Sequence, residues 1–309
     1  MDNNTLDYES ALMARAAWYY YYCDMTQQDI AEKLGMTRLK VIKLLDKARA
    51  SGMIQFKIRS VDERRMELEQ ALMEKYNLQD CFLVPAPQDE ADVNENVAQA
   101  ASMYIGGRVS DDTFINIGYG DTTGRVLNHL AQSTDYHLSF ISLTGGVGYY
   151  LPSVDALGSQ HKLYLIPTPL IASTKEIAEA ITSEKSVNDV QQLIPLSKIS
   201  VVGIGALDPA ATIVQSGALS QSDQLFLEQS GAIGDILSHF FDRDGQLIET
   251  ELESRTISTP LSTLAGLDNV IGVAAGKRKV DAIHAALLGN YLNVLISDED
   301  TAEALLNIN

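Results

Sequence analysis

The sequence has few of the residues that build metal sites and disulfide frameworks. Its 309 residues include only two cysteines, Cys23 and Cys81, which lie far apart and form no CxxC pair. Its five histidines are scattered, and none has the spacing of a metal ligand. Because structural zinc sites and disulfide scaffolds need such residues in clusters, the sequence predicts reduced thiols in a cytoplasmic protein, no metal site and no cofactor.

Long apolar runs are also missing. No stretch of 18 consecutive apolar residues occurs, so neither a membrane span nor a membrane partner is expected. The first nine residues lack both the basic and the apolar part of a secretory signal. With 46% hydrophobic residues, the chain is long enough to form a small domain and one large domain.

Basic charge is scarce except in one window. The formal net charge is -18, from 23 Lys and Arg against 41 Asp and Glu. Residues 33–59 nevertheless hold eight Lys or Arg and a single acid, Asp46, so this window carries +7 and the remainder carries −25. An acidic chain has no general attraction to nucleic acid, and a local basic segment therefore indicates specific DNA binding.

The basic window overlaps a pattern that is typical of a helix-turn-helix. Thr26 is a candidate N-cap, apolar residues follow it at helical spacing, and Gly35 suits a left-handed C-cap. Thr37 is the next candidate N-cap and begins a second helix that extends to about Ala50. The predicted buried arc of this helix consists of Val41, Leu44, Leu45 and Ala48. Such a pair of helices places the second one in the major groove of DNA.

The outer face of the second helix carries the candidate DNA contacts. Leu39 points nearly opposite the buried arc, and a thymine methyl is one candidate partner for it. Thr37, Arg38, Leu39 and Lys43 are expected at base edges, and Lys33, Lys40, Lys47 and Lys57 at phosphates. Gln27 and Gln28, at the start of the first helix, are also expected to contact double-stranded operator DNA. The alternative is a solvated basic helix in an ordinary helical hairpin.

Flanking segments complete a domain of residues 1–60. Upstream, an apolar and aromatic stripe predicts another helix, with Trp18 packed in the core. Downstream, residues 53–58 alternate apolar and polar as a strand does, which predicts the wing of a winged helix-turn-helix. Residues 61–77 have a helical period. They predict either a linker helix that packs on its mate in a dimer or an ordinary surface helix of the next domain.

Residues 78–309 alternate short apolar runs with helical stretches. Strands are predicted at residues 81–84, 113–117, 138–143, 163–166, 199–204, 270–273 and 293–296. Helices are predicted near residues 92–106, 122–132, 173–182, 186–194, 277–289 and 299–306. This alternation predicts an α/β fold with a parallel sheet and helices on both faces. Ligands of such sheets bind beyond the carboxyl ends of the strands.

Glycine-rich loops follow several of these strands. Glycine lets backbone N–H groups close on an anion, although tight turns also use glycine for purely structural reasons. Asp235 follows a glycine at a predicted helix start, where it would cap the helix or accept ligand hydroxyls. Lys279 would either meet a phosphate or remain solvated. The candidate effector-binding residues are Gly118, Tyr119, Gly120, Asp121, Thr122, Thr123, Thr144, Gly145, Gly146, Val147, Gly148, Asp235 and Lys279.

Several segments, in order, resemble the SorC-type bacterial transcriptional regulators, also called the DeoR/sugar-binding group. Near the N-terminus these are the tyrosine-rich first helix and the segment MTQQDIAEKLGMTR. In the large domain they are IGYGDTT, LTGGVG, IPTP, VVGIGA, GAIGDILSHFFD and AAGKRKVDAIHAAL. The resemblance covers about residues 10–306.

This resemblance implies a winged helix-turn-helix joined to a Rossmann-like effector-binding and oligomerisation domain similar to glucosamine-6-phosphate deaminase and ribose-5-phosphate isomerase. It implies a dimer or tetramer that represses a sugar catabolic or transport operon under control of a phosphorylated sugar or sugar-like effector. The phosphate would lie among residues 118–123 and 144–148, and Asp235 would take hydroxyls. Many relatives carry Arg where this chain has Ile171, so Lys279 is expected to supply that charge.

The alternative is a sugar-phosphate isomerase or deaminase with an appended DNA-binding head. Such an enzyme needs a catalytic carboxylate pair or base in its pocket. The Asp-Gly-Ala-Asp-Glu type signature of the isomerases is missing, and the nearest segment is residues 205–209. We therefore expect a regulator and not an enzyme.

Overall fold

The computed structural model describes residues 3–54, 60–150, 157–208 and 211–308. The chain divides into two compact units, Met1–Glu63 and Arg64–Asn309, which we call the head and the large unit. The head contains helices α1 (Asn3–Tyr21), α2 (Gln27–Leu34) and α3 (Arg38–Ala50).

Two threonines and a glycine set the ends of α2 and α3. Thr26 Oγ1 accepts a hydrogen bond from the Asp29 amide at 3.3 Å, and Thr37 Oγ1 accepts one from the Lys40 amide at 3.3 Å. Gly35 ends α2 with a φ of 63°, the left-handed conformation that glycine adopts without a Cβ clash. These caps and this turn lie where the sequence predicts them.

The core of the head consists of small and branched side chains from the three helices. Its buried members include Ala16, Ile30, Ala31, Val41, Leu44 and Leu45. The prediction that Trp18 packs in this core is wrong, because Trp18 is 56% exposed and stacks on Tyr22 with ring centroids 4.1 Å apart. Ala16 takes the buried position of α1, where its small side chain allows a close approach to α3.

The predicted wing falls largely outside the described residues. Met53 and Ile54 do not lie in a strand, and residues 55–59, which include Lys57, are beyond what the structure describes. The wing therefore stays a prediction.

Helix α4 (Ser60–Tyr76) occupies the segment predicted as a linker. Its Leu72 and Tyr76 side chains are buried in the core of the large unit. The Tyr76 hydroxyl lies 2.7 Å from His284 Nδ1. These contacts make the later part of α4 a surface helix of the large unit, which is one of the two alternatives that the sequence leaves open.

The large unit is an α/β domain. Its strands are β1 (Asp80–Val84), β2 (Thr113–Ile117), β3 (Leu138–Ser142), β4 (Lys162–Tyr164), β5 (Ile199–Gly203), β6 (Gly205–Ala206), β7 (Gly234–Ile236), β8 (His239–Phe241), β9 (Val270–Val273) and β10 (Val294–Asp298). Its further helices are α5 (Val93–Gly106), α6 (Asp121–Ser133), α7 (Lys175–Thr182), α8 (Lys185–Gln191), α9 (Thr212–Gln215), α10 (Gln221–Gln229), α11 (Glu251–Arg255), α12 (Leu261–Leu264), α13 (Val280–Leu288) and α14 (Glu299–Asn307).

Seven strands form one parallel sheet in the order β1-β10-β9-β5-β2-β3-β4. Each of the seven predicted strands belongs to it. Both faces of the sheet are covered by apolar side chains. Successive residues of a strand therefore belong to two different apolar clusters, as Phe140 and Ile141 of β3 do. The chain runs outward from β2 to β3 and β4 and then returns to β5 on the other side of β2. This reversal opens a crevice at the carboxyl ends of β2 and β5.

A second sheet of three short antiparallel strands, β6-β7-β8, contains Asp235. The prediction that Asp235 stands at a helix start is wrong, since it lies in the middle of β7 and pairs with Phe240 of β8. The apolar run around it is too short for periodicity to distinguish a strand from a helix.

Candidate functional site

A cavity of about 180 Å³ lies at the carboxyl ends of β2, β5 and β9 in the large unit. The loops that follow these three strands and the strand β7 form its walls. Its polar and charged lining residues are Glu90, Asn94, Tyr119, Asp121, Thr122, Thr123, Asp208, Thr212, Asp235, Arg278 and Lys279. The cavity therefore occupies the place where open parallel sheets bind small ligands.

The start of α6 forms one wall of this cavity. Gly120 precedes the helix with a φ of 128°, a conformation that a side chain would strain. Thr122 and Thr123 follow in the first turn, and both are buried. Asp121 accepts hydrogen bonds from Arg125 Nε at 3.0 Å and from Asn94 Nδ2 at 3.0 Å. Because the Asp121 charge is paired, the first-turn amides and hydroxyls of α6 remain a favourable environment for an anion.

The carboxyl group of Asp235 enters the cavity from β7. The residue is only 6% exposed, and its Oδ2 accepts a hydrogen bond from the Ser238 amide at 3.0 Å. A Cβ at position 205 would lie 2.0 Å from Asp235 Oδ1, so Gly205 is required there. Burial raises the pKa of Asp235 above its ordinary value, while the Ser238 amide and the Lys279 charge oppose that shift.

The ammonium group of Lys279 faces the same cavity from the turn that follows β9. Gly276, with a φ of 106°, begins this turn. Burial lowers the pKa of Lys279, while the carboxylates of Asp235, Asp121 and Asp208 act in the opposite direction. The side chain is thus partly buried at the cavity wall.

Arg278 neutralises the remaining acids of the lining. Its Nε lies 3.5 Å from Glu90 Oε1, and its Nη1 lies 4.0 Å from Asp208 Oδ2. Asp121 is paired with Arg125. Within the described part of the chain, Asp235 and Lys279 are the charged lining residues that form no ion pair within 4.0 Å. A ligand in the cavity meets one buried acceptor and one partly buried cation.

A strained turn closes the hairpin that carries Asp235. Leu237 and Ser238 connect β7 to β8 with φ values of 56° and 67°. Left-handed conformations cost residues with a Cβ on the order of 1 to 2 kcal/mol each. Contacts at the cavity wall hold the turn in place, since Ser238 Oγ donates to the Tyr119 hydroxyl at 2.9 Å and Tyr119 packs on Tyr149 with ring centroids 5.1 Å apart.

The structure brings most of the predicted effector-binding residues together but leaves one loop out. Tyr119, Gly120, Asp121, Thr122, Thr123, Asp235 and Lys279 line the cavity. Gly118 does not line it, and its lack of a side chain makes room for Leu237, since a Cβ there would lie 2.9 Å from Leu237 Cδ2.

The loop after β3 does not reach the cavity. None of Thr144, Gly145, Gly146, Val147 and Gly148 belongs to the lining. The Thr144 hydroxyl lies 2.9 Å from the Tyr150 hydroxyl, and a Cβ at Gly145 would meet the Pro169 carbonyl at 2.3 Å. Thr144 and Gly145 are thus packed closely in this loop, and the prediction that the five residues surround the same site is not supported by their position.

Sequence reasoning missed five polar residues of the lining. These are Glu90, Asn94, Asp208, Thr212 and Arg278. The one local signal was the basic run Lys277–Lys279 after a glycine, which marks Arg278 as well as Lys279. The other four come from separate parts of the large unit, and only the fold brings them to the crevice.

The predicted DNA contacts of the head are mostly exposed. Arg38, Lys40 and Lys43 are exposed on α3, and Leu39 is 62% exposed despite its apolar side chain. Thr37 is exposed and caps α3. Four of these side chains already have partners within the head. Lys47 Nζ donates to Glu9 Oε1 at 2.6 Å, and Lys33 Nζ lies 4.6 Å from the centre of the Tyr19 ring. Gln28 Nε2 donates to Glu32 Oε1 at 3.1 Å, and Arg38 Nε donates to Gln27 Oε1 at 3.4 Å.

Among the described residues, neither a metal centre nor a bilayer-spanning helix is found. No group of three or more His, Cys, Asp or Glu side chains there is arranged to hold a metal ion. Among the helices described, none is both long and apolar enough to span a bilayer.

Comparisons with known proteins give one consistent result. Residues 62–307 match the family described as "Putative sugar-binding domain". The transcriptional regulator LsrR of Klebsiella pneumoniae is 37% identical over 302 residues, which cover 96% of this chain and 93% of that protein. LsrR of Escherichia coli O139:H28 is 36% identical, with 96% and 95% covered.

A solved structure shares the fold. The full-length sorbitol operon regulator SorC from Klebsiella pneumoniae superposes with a TM-score of 0.71 at 24% identity, and the match covers 99% of this chain and 100% of that chain. Within the SorC type, residues 37–41 and 231–237 look most like the autoinducer-2 uptake (Lsr) operon repressor, and the curated relatives carry the LsrR name. These relatives are transcriptional regulators and not enzymes.

Proposed function

Because this chain belongs to the sugar-binding domain family of transcriptional regulators, we propose that it represses a sugar catabolic or transport operon under control of a phosphorylated sugar-like effector. The prediction of a SorC-type regulator is confirmed at the level of the family. The enzyme alternative is not carried further, since the relatives that cover nearly the whole chain are regulators.

The observation that carries the effector proposal is the presence of a buried acceptor and a partly buried cation in one cavity. The effector's phosphate lies at the start of α6, where the amides of Thr122 and Thr123 and the Lys279 ammonium can donate to it. The effector's hydroxyls donate to the Asp235 carboxylate. Arg278 and Arg125 neutralise the other lining acids, which keeps them from repelling the phosphate.

The head is the DNA-binding part of the proposed regulator. Helices α2 and α3 have the short helix, glycine turn and second helix of a helix-turn-helix, and the wing stays an expectation from the sequence of residues 53–58. Helix α3 enters the major groove of operator DNA with its first residues toward the bases. Helix-turn-helix proteins bind two half-sites through two-fold symmetry, so the regulator acts as a dimer or tetramer built by the large unit.

The effector acts by differential affinity for two arrangements of the oligomer. It binds one arrangement more tightly and so depletes the arrangement that fits the operator. A tenfold shift between them needs a difference of only about 1.4 kcal/mol. The large unit, which we take to resemble glucosamine-6-phosphate deaminase and ribose-5-phosphate isomerase, keeps the ligand crevice of those folds but regulates instead of catalysing.

Thermal stability measured with a panel of ligands tests this proposal. The panel contains phosphorylated pentoses, hexoses, polyols and autoinducer-like diketones, each beside its unphosphorylated counterpart. A ligand at 100 times its Kd stabilises the native state by about 2.7 kcal/mol, so a hit raises the melting temperature clearly. We expect a phosphorylated member to do so in the wild-type chain and less so in Asp235→Asn.

Two results would contradict the proposal. If a sugar and its phosphate ester stabilise the chain equally, the site does not recognise a phosphate group. If a ligand stabilises the chain but leaves its affinity for selected duplex DNA unchanged, ligand binding does not control DNA binding.

A further inference from the structure

The first residues of α2 and α3 meet in the head. Thr26 and Thr37 cap the two helices, so Gln27 and Arg38 are the first helical residue of each. Arg38 Nε donates a hydrogen bond to Gln27 Oε1 at 3.4 Å. Since a guanidinium can only donate, the Gln27 amide must present its oxygen to Arg38.

This contact leaves one defined edge of Arg38 available. With Nε bound to Gln27, the guanidinium offers Nη1 and Nη2, and neither has a protein partner within the described residues 3–54. The other arginine of α3 differs, because Arg49 Nη2 is bound to Asp46 at 2.8 Å. Among the cations of α3, Arg38 is thus both oriented by a neighbour and open at its fork.

We propose that Gln27 is a positioning residue that holds the Nη1 and Nη2 fork of Arg38 toward the O6 and N7 atoms of a guanine in the major groove. This inference rests on the proposed function, in which α3 enters that groove. The fork donates two parallel hydrogen bonds, and guanine is the base whose major-groove edge presents two acceptors. The N-terminal residues of a recognition helix are the ones that reach base edges.

Orientation is what separates a guanine contact from a phosphate contact. A phosphate accepts hydrogen bonds from many directions, and a flexible lysine serves it as well as a fixed arginine. A guanine accepts the fork only in the plane of the base, so a side chain fixed in advance loses less conformational freedom on binding. A positioning residue beside Arg38 therefore fits base readout.

The experiment measures base discrimination by the full-length chain. A random duplex library is selected for binding, and each enriched guanine in the selected site is then replaced by 7-deazaguanine, which lacks the N7 acceptor. We expect one such replacement per half-site to weaken wild-type binding by about 10- to 100-fold. Arg38→Lys keeps the charge but lacks the fork, and it should abolish this penalty while unselected duplex is still bound with nearly wild-type affinity.

Gln27→Met keeps the length of the side chain but removes its acceptor. We expect it to reduce the 7-deazaguanine penalty by roughly three- to tenfold with little change in binding to unselected duplex. Gln27→Glu restores an acceptor and should restore the penalty, although its charge lowers affinity for every duplex. Gln221→Met is the matched control, because Gln221 is the first residue of the Ser220-capped helix α10 in the large unit.

The possible outcomes separate this inference from the proposed function. No enrichment of any duplex would overturn the proposed function itself. Enrichment with a 7-deazaguanine penalty that Arg38→Lys leaves intact would overturn the guanine contact alone. If Gln27→Met keeps the full penalty, or if Gln27→Met and Gln27→Glu lose it equally, the positioning role of Gln27 is overturned. A Gln27→Met chain that melts like the wild type and loses the penalty supports the inference.

Discussion

The head and the effector cavity use charged side chains in opposite ways. The head displays Arg38, Lys40 and Lys43 on an exposed face, whereas the cavity holds a buried Asp235 and a partly buried Lys279. Exposed charges are screened and contribute little each, so a DNA-binding face needs several of them. Buried charges interact strongly, so one carboxylate and one ammonium can select a ligand. The acidic large unit and the basic window of residues 33–59 thus differ in mechanism as well as in sign.

The largest expected effect is in the cavity. Lys279→Met should lower affinity for the stabilising phosphorylated ligand by 100-fold or more. The substitution removes the cation that pairs with the ligand's phosphate in the occupied cavity, and removing one partner of such a charge pair costs about 2–5 kcal/mol. DNA binding without ligand should remain unchanged. Calorimetric titration measures the loss, and Lys277→Met, which removes an exposed neighbouring charge outside the lining, is the control. Wild-type affinity in Lys279→Met would place the ligand elsewhere.

Ligand affinity should depend on pH through the protonation of Lys279. In the proposed site its ammonium holds the phosphate, and desolvation places its pKa below the ordinary 10.5. Affinity should therefore fall by about tenfold per pH unit above that lowered pKa. It should also fall below about pH 6, where the phosphate loses its second charge.

Lys279→Arg tests the alkaline limb of that profile. Arginine keeps its charge throughout this range, so the fall at high pH should disappear in the variant while the acid limb remains. If affinity falls equally at high pH in the wild type and in Lys279→Arg, the group that titrates there is not Lys279.

In the head, the loss of duplex DNA affinity per substituted residue should be smaller, and it should depend on the salt concentration. Arg38→Ala with Lys43→Ala should weaken binding to selected duplex DNA and lower the slope of log affinity against log salt by up to about 2. Fluorescence anisotropy at several salt concentrations measures the slope. Ligand affinity in the large unit serves as the internal control and should not change. An unchanged duplex affinity would count against α3 as the DNA-binding helix.

The smallest expected effect comes from an exposed ion pair in the head. Lys47 Nζ lies 2.6 Å from Glu9 Oε1, and both side chains are about half exposed. Glu9→Gln should leave the free energy of unfolding within about 1 kcal/mol of the wild type, because surface pairs contribute little. It should raise the salt slope for duplex binding by up to about 1, since Lys47 becomes available to a phosphate. A loss of duplex binding would show that Glu9 orients Lys47 productively.

The parallel sheet was the most predictable part of the fold. Strands β2 and β9 have the predicted bounds, because strands buried on both faces are short apolar runs. The helix caps at Thr26 and Thr37 were predictable for a similar reason, since capping depends on residues only three positions apart.

The candidate site was predictable only in part. The residues after β2 and the basic residue after β9 were found because each follows a strand end. Asp235 was chosen correctly as a candidate but placed on the wrong kind of element, since its short apolar run fits a strand or a helix. The glycines after β3 gave the same local signal as those after β2, yet the crevice opens between β2 and β5 and leaves the β3 loop aside.

By itself, the sequence determined what depends on neighbours within a few positions. These features are the strands and helices, the capped turn at Gly35 and the basic face of α3, because burial period and capping act over one or two turns of chain. The tertiary structure decided which distant residues share a cavity and which charges are buried. It joined Glu90, Asn94, Asp208, Asp235 and Lys279 around one crevice. Strand order follows from the packing of whole elements, so no local pattern contains it.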